Sequence, residues 1–158
     1  MKILLYRGRG FLPWLIRFQT RSPYHHAAIV LHGSTVFESN WKWGVKACFL
    51  QRTPANNTVD VYEVATTPEQ DGSIRRWLVS QSGKPYDLTM VIRFVTRKQA
   101  TRKTKGKWFC SELVYAAFQA AGINLLERVE PWEVSPGLLA RSPLLKFVGS
   151  QKLYYDAV

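Results

Sequence analysis

Cysteine is scarce in this chain: only Cys48 and Cys110 occur among 158 residues, with no Cys-x-x-Cys pair. That excludes a disulfide framework and a zinc knuckle, and both cysteines are expected to be reduced thiols. The three histidines, His25, His26 and His32, fall in or beside one short segment without metal-ligand spacing, so neither a metal nor a cofactor is expected. No apolar run approaches the roughly 18 residues that a membrane span requires. The apolar stretch Ile3 to Tyr6 is too short for a signal-peptide core, and arginines follow it. The expectation is cytoplasmic synthesis without a conventional leader, any extracytoplasmic target being reached by another route. Acidic residues are also few, 11 against 22 Lys and Arg, which leaves a formal charge of +11. Such a surface attracts polyanions: nucleic acid, acidic lipid headgroups or an anionic cell wall.

What is present describes a folded protein. Hydrophobic residues make up 46% of the chain and aromatics 13%, and the length suits one domain over 1–158. Strands are expected at Lys2 to Tyr6, His26 to His32, Thr35 to Ser39, Gly44 to Leu50 and Val59 to Ala65. Helical segments are expected at Phe11 to Phe18, Pro68 to Ser82 and Leu88 to Phe94, with a turn of helix at Leu138 to Arg141. Thr96 to Lys107 reads as a solvated basic loop. Gly149-Ser150 reads as the turn of a terminal hairpin. Strands on both sides of a helical middle indicate an α+β fold with a mainly antiparallel sheet.

Cys110 opens a further helix, marked by Leu113, Val114, Ala117, Phe118 and Ala121 at three- and four-residue spacing, with Gly122 as its stop. A thiol in the first helical turn lies against unpaired backbone N–H groups and the positive end of the helix dipole, which favour thiolate over thiol. Acyl transfer by such a sulfur needs a base and a group that orients the base. His26 shares a strand face with Ala28, Val30 and His32, whereas His25 goes with Ala27, Ile29 and Leu31. Glu38, on the returning strand, shares the His26 face if the loop is Gly33-Ser34-Thr35. It does not if the loop has two residues.

These residues resemble a family. Tyr24-His25-His26-Ala27-Ala28-Ile29-Val30, then Glu38, then Gly83-Lys84-Pro85-Tyr86-Asp87, then Phe109-Cys110-Ser111-Glu112-Leu113-Val114 are similar to the circularly permuted branch of the NlpC-type papain-like cysteine peptidases. Within it the chain resembles the YiiX/YaeF group, distantly related to lecithin:retinol acyltransferase. The resemblance covers about residues 6 to 142. It implies a papain-like fold, an antiparallel sheet or open barrel packed against helices, with the cysteine at a helix N-terminus. It also implies a catalytic triad of Cys110, His26 and Glu38. His26 is preferred to His25 because it directly precedes the aliphatic run. Tyr86 and the Cys110 amide would then bind substrate or the oxyanion. The implied activity is thiol-dependent cleavage of an amide, foremost in a peptidoglycan-type peptide, with an acyl lipid at an anionic membrane as the alternative.

Two further expectations concern partners. Basic residues interleaved with Trp41, Trp43, Trp77 and Trp108 could serve a non-catalytic nucleic-acid binder, but no nucleic-acid motif accompanies them and that reading is disfavoured. The segment Phe11 to Phe18, flanked by arginines, is either an interfacial helix or a buried one beside the site. Cys48 is expected to be buried and inert.

Overall fold

The computed structural model describes residues 1–8, 11–50, 57–90 and 106–153. Six strands, β1 (Lys2–Arg7), β2 (His26–His32), β3 (Thr35–Asn40), β4 (Gly44–Phe49), β5 (Asn57–Glu63) and β6 (Lys146–Leu153), form one sheet. Its order is β4-β3-β2-β1-β5-β6, and every neighbouring pair is antiparallel. The sheet is open, with β4 and β6 at its edges. The helices are α1 (Phe11–Thr20), α2 (Pro68–Ser80), α3 (Cys110–Gln119) and the single turn α4 (Pro136–Leu139), preceded by a 3-10 turn at Pro131–Glu133. This is the expected α+β arrangement. The expected helix at Leu88 to Phe94 is helical at 88–90, and its remainder lies outside the described residues, as does most of the basic stretch before Gly106.

One face of the sheet carries the main core. Ile3, Leu5, Ala27, Ile29, Phe37 and Val45 alternate inward and meet Ile74 and Leu78 of α2 and Leu113, Val114, Ala117 and Phe118 of α3. Helix α3 is buried from Cys110 to Phe118, which is why its sequence is apolar nearly all round. It ends where Gly122 takes a φ of +76°. There the Ile123 N–H donates to the Phe118 carbonyl and the Gly122 N–H to the Gln119 carbonyl, a Schellman pair that satisfies the last turn. Trp77 and Trp108 meet edge to face beside this core, whereas Trp41 and Trp43 are exposed.

The β2–β3 hairpin resolves the question of which face Glu38 occupies. His32 pairs with Thr35, so the loop is the two-residue one, Gly33-Ser34. A regular hairpin with that loop would turn Glu38 away from His26. Instead Val30 pairs with Val36, and Leu31 is an extra residue with no partner opposite it. This bulge restores the lost parity and places Glu38 level with Ala28, on the His26 face. The expected terminal hairpin is corrected: Gly149 and Ser150 lie inside the single strand β6, where they pair with Val61 and Asp60. Long-range pairing and a hydrogen bond from Ser150 Oγ to Asp60 override the local turn preference.

Candidate active site

Each polar group of the site begins or adjoins an element that the fold holds firmly. Cys110 is the first residue of α3, and Phe109 before it is extended, with φ −81° and ψ 154°. The Glu112 carboxylate reaches back to accept the Phe109 N–H at 3.3 Å, occupying an otherwise orphan donor at the helix start. Ser111 Oγ donates to the Val134 carbonyl at 2.6 Å, and Ser39 Oγ donates to the Trp108 carbonyl at 2.7 Å. The second bond ties the strand of Glu38 directly to the approach of Cys110.

Tyr86 arrives by a separate route. The turn before it docks on β4, where the Val45 N–H donates to the Lys84 carbonyl and the Gly83 N–H to the Val45 carbonyl, both at 2.9 Å. A side chain at Gly44 would press to 2.4 Å from the Lys84 oxygen, so only glycine permits this approach. Trp108 then bridges to both sides of Tyr86, donating its N–H to the Pro85 carbonyl and accepting from the Asp87 N–H.

The structure brings His26, Glu38, Cys110 and Tyr86 together. His26 Nε2 lies 2.5 Å from Glu38 Oε2, and Cys110 lies close enough to the same ring to raise its pKa. With Nε2 committed to Glu38, Nδ1 is the ring nitrogen left for another partner. Burial works to lower the His26 pKa. The Glu38 carboxylate and then Cys110 outweigh it, holding the value at about 10 instead of 6.5. Burial likewise works to raise the pKa of Glu38. The His26 charge, with hydrogen bonds from His26, Cys48 and Asn40, brings it below the ordinary 4.5. At neutral pH this describes an imidazolium donating to a carboxylate.

Burial, then the nearby charges of Cys110 and Asp87, raise the pKa of the Tyr86 hydroxyl well above 10.0. It therefore stays neutral and able to donate. Cys110 itself is fully buried, packed with Ile16 of α1, Met90 and Phe109, with Tyr86 against the same cluster.

His25 is not brought to the sulfur. Its Nδ1 accepts the Gly8 N–H at 3.2 Å, and burial, with the charges of His26 and Arg17, lowers its pKa to about 3. It is a neutral hydrogen-bond acceptor. His32 is exposed at the opposite end of β2. Among the described residues no group of three or more His, Cys, Asp and Glu is arranged to hold a metal ion.

Two neighbours of Glu38 were not expected. Asn40 Nδ2 donates to Glu38 Oε1 at 3.3 Å, a partner that period-two alternation along β3 could have suggested. Cys48 is half-buried, and its thiol bonds Glu38. The expectation of a buried Cys48 is thus corrected: β4 is an edge strand, and pairing of Cys48 with Val36 puts it on the Glu38 face.

No family model and no curated protein matches the sequence. Among solved structures, the chain is similar to the crystal structure of YiiX from Escherichia coli O157:H7, described as a metalloprotein. The TM-score is 0.75 at 22% identity, over 96% of each chain. The likeness bears on the YiiX side of the resemblance and does not extend it to NlpC-type peptidases. It spans nearly the whole of both molecules, so the chain has a YiiX-like α+β fold.

Proposed function

We propose that this protein is a thiol-dependent acyl hydrolase in which Cys110 is the nucleophile, His26 the base and Glu38 the group that orients it. The observation that carries the reading is the His26 ring, which meets Glu38 through Nε2 and lies close enough to Cys110 for that residue to raise its pKa. In the reaction, the Cys110 proton resides on His26 and the sulfur attacks the substrate carbonyl carbon. The C=O electron pair moves onto oxygen, which the Cys110 N–H and the Tyr86 hydroxyl receive. Collapse expels the leaving group, which takes the proton from His26 and leaves a thioester on Cys110. Water, giving a proton to His26, attacks the thioester, and the sulfur leaves as thiolate beside the restored imidazolium. Glu38 stabilises the imidazolium throughout.

The substrate that the motif resemblance implies is an amide of a peptidoglycan-type peptide. An acyl lipid is the second reading, favoured by the exposed Trp14 and Phe18 on the helix whose Ile16 packs against Cys110. The metalloprotein description of YiiX does not transfer by donor arrangement: His26 Nε2 is engaged by Glu38, and among the described residues no three His, Cys, Asp or Glu side chains are grouped to hold a metal ion. No step here is routed through a metal.

Exposure and activation make opposite forecasts, which gives a clean test. By exposure alone, a thiol-reactive acyl probe should modify half-buried Cys48 before buried Cys110. The proposal requires the reverse, with Cys110 labelled first in peptide mapping and that labelling lost in His26→Ala. Equal labelling of both cysteines would sink the proposal.

A further inference from the structure

Helix α1 presents a face that the site does not use. Trp14, Arg17, Phe18 and Arg21 follow one another at helical spacing on one side. Trp14 is 50% exposed and Phe18 61%, and their rings stack at 5.4 Å with 15° between planes. With Ser22 and Pro23 these four residues line an open cleft of about 350 Å³. Arg17 Nε in that cleft is shielded from solvent, with no hydrogen-bond acceptor among the described residues. Ile16, on the opposite side of the helix, is buried against Cys110.

We infer that this face of α1 docks the protein on an anionic lipid bilayer. Large aromatic side chains held in water at half exposure or more are a cost that the bilayer interface removes, and Trp suits the headgroup boundary because its ring is apolar with one polar N–H. Arginines beside the aromatics would meet lipid phosphates. Charge complementarity is one-sided. The cleft is lined by Arg17 and Arg21 and by no acidic residue, and residues 1–37 contain no Asp or Glu. No helix among the described residues is long and apolar enough to cross a membrane, so the contact is peripheral. A single-stranded nucleic acid is less well matched, because base stacking needs open ring faces and here each ring already covers a face of the other. The inference stands on this face alone and holds whether or not Cys110 is a nucleophile.

The test is co-sedimentation of the full chain with phosphatidylcholine vesicles, with and without phosphatidylglycerol. The expected result is binding that depends on phosphatidylglycerol and weakens with salt. Trp14→Ala with Phe18→Ala should reduce partitioning by roughly tenfold or more, and Arg21→Gln by a few-fold with loss of the preference for anionic lipid. Both changes are at exposed positions, and circular dichroism would verify that the variants fold. Unchanged partitioning of the double aromatic variant would overturn the inference, since attraction would then come from charge elsewhere. So would tighter binding of a single-stranded oligonucleotide that is lost in the same variant.

Discussion

Two buried carboxylates sit in the same sheet, and they differ in what surrounds them. Glu38 and Asp60 are each 4% exposed, and each is held below its ordinary pKa despite the opposing effect of burial. Asp60 is bonded by Arg7, Ser150 and Tyr24, the last at 2.7 Å from a hydroxyl that also meets Tyr62. Burial, then hydrogen bonds from Tyr62 and Asp60, push the Tyr24 pKa far up, so that hydroxyl stays protonated near neutrality. Asp60 therefore acts as a latch joining β1, β5, β6 and the segment before β2. Glu38 faces an imidazole and a thiol instead, the groups that would exchange protons in the proposed reaction. A buried carboxylate is mechanical or chemical according to its partners, not its burial.

The comparison can be broken by removing one charge at a time. Cys110→Ala should abolish probe labelling at the site altogether, read by peptide mapping. Glu38→Gln should slow Cys110 labelling on the order of 10²-fold or more, because the neutral amide no longer stabilises the imidazolium. Asp60→Asn should do the opposite of Glu38→Gln: labelling of the folded protein changes by no more than about twofold, while the urea midpoint falls with a loss of roughly 1–3 kcal/mol. If Asp60→Asn slowed labelling as much as Glu38→Gln, the two carboxylates would not be separable. Ile16→Ala, which thins the cover over Cys110, should speed labelling a few-fold at a stability cost of about 2–4 kcal/mol.

A smaller effect distinguishes the adjacent histidines. His26, raised to about 10, contributes stability that is complete below pH 6.5 and is lost as pH rises through the folded value. His25, lowered to about 3, is folded in its neutral form, so its contribution is lost as pH falls below 6.5. Glu38 and Asp60 add to the acid-side loss, their contributions vanishing as pH falls through their depressed values. Stability should peak near pH 6.5, and NMR should show neither ring titrating between about pH 5 and 8. A titration of either within that range would contradict the site as described.

Much of the fold could be read in advance because its signals are local. Strands β1 to β4, helix α2 and the start of α3 at Cys110 follow from periodicity and stop residues. The convergence of Cys110 with His26 was reached through motif resemblance, since nothing local relates residues so far apart in sequence. Three features were not legible. The two-residue loop at Gly33-Ser34 pointed Glu38 the wrong way, and only the pairing across β2 and β3 shows the compensating Leu31. Cys48 is expected from the sequence to be buried, yet at the sheet edge β4 leaves Phe49 exposed and Cys48 half-buried. Which side of α1 faces outward depends on what Ile16 meets, a tertiary fact.

The Leu31 bulge also bears on how such sites are to be sought in other sequences. His26 and Glu38 are twelve positions apart. A hairpin without Leu31, regular and with the same two-residue loop, would keep Val30 opposite Val36 and deliver the same pair across eleven. Odd and even spacings are therefore equivalent, provided that a bulge accompanies one of them. A search pattern that fixes the interval would divide one arrangement into two apparent families, whereas a pattern that tracks strand parity would unite them. Deleting Leu31 is a natural experiment of one codon, and the geometry predicts that the histidine and the carboxylate still meet.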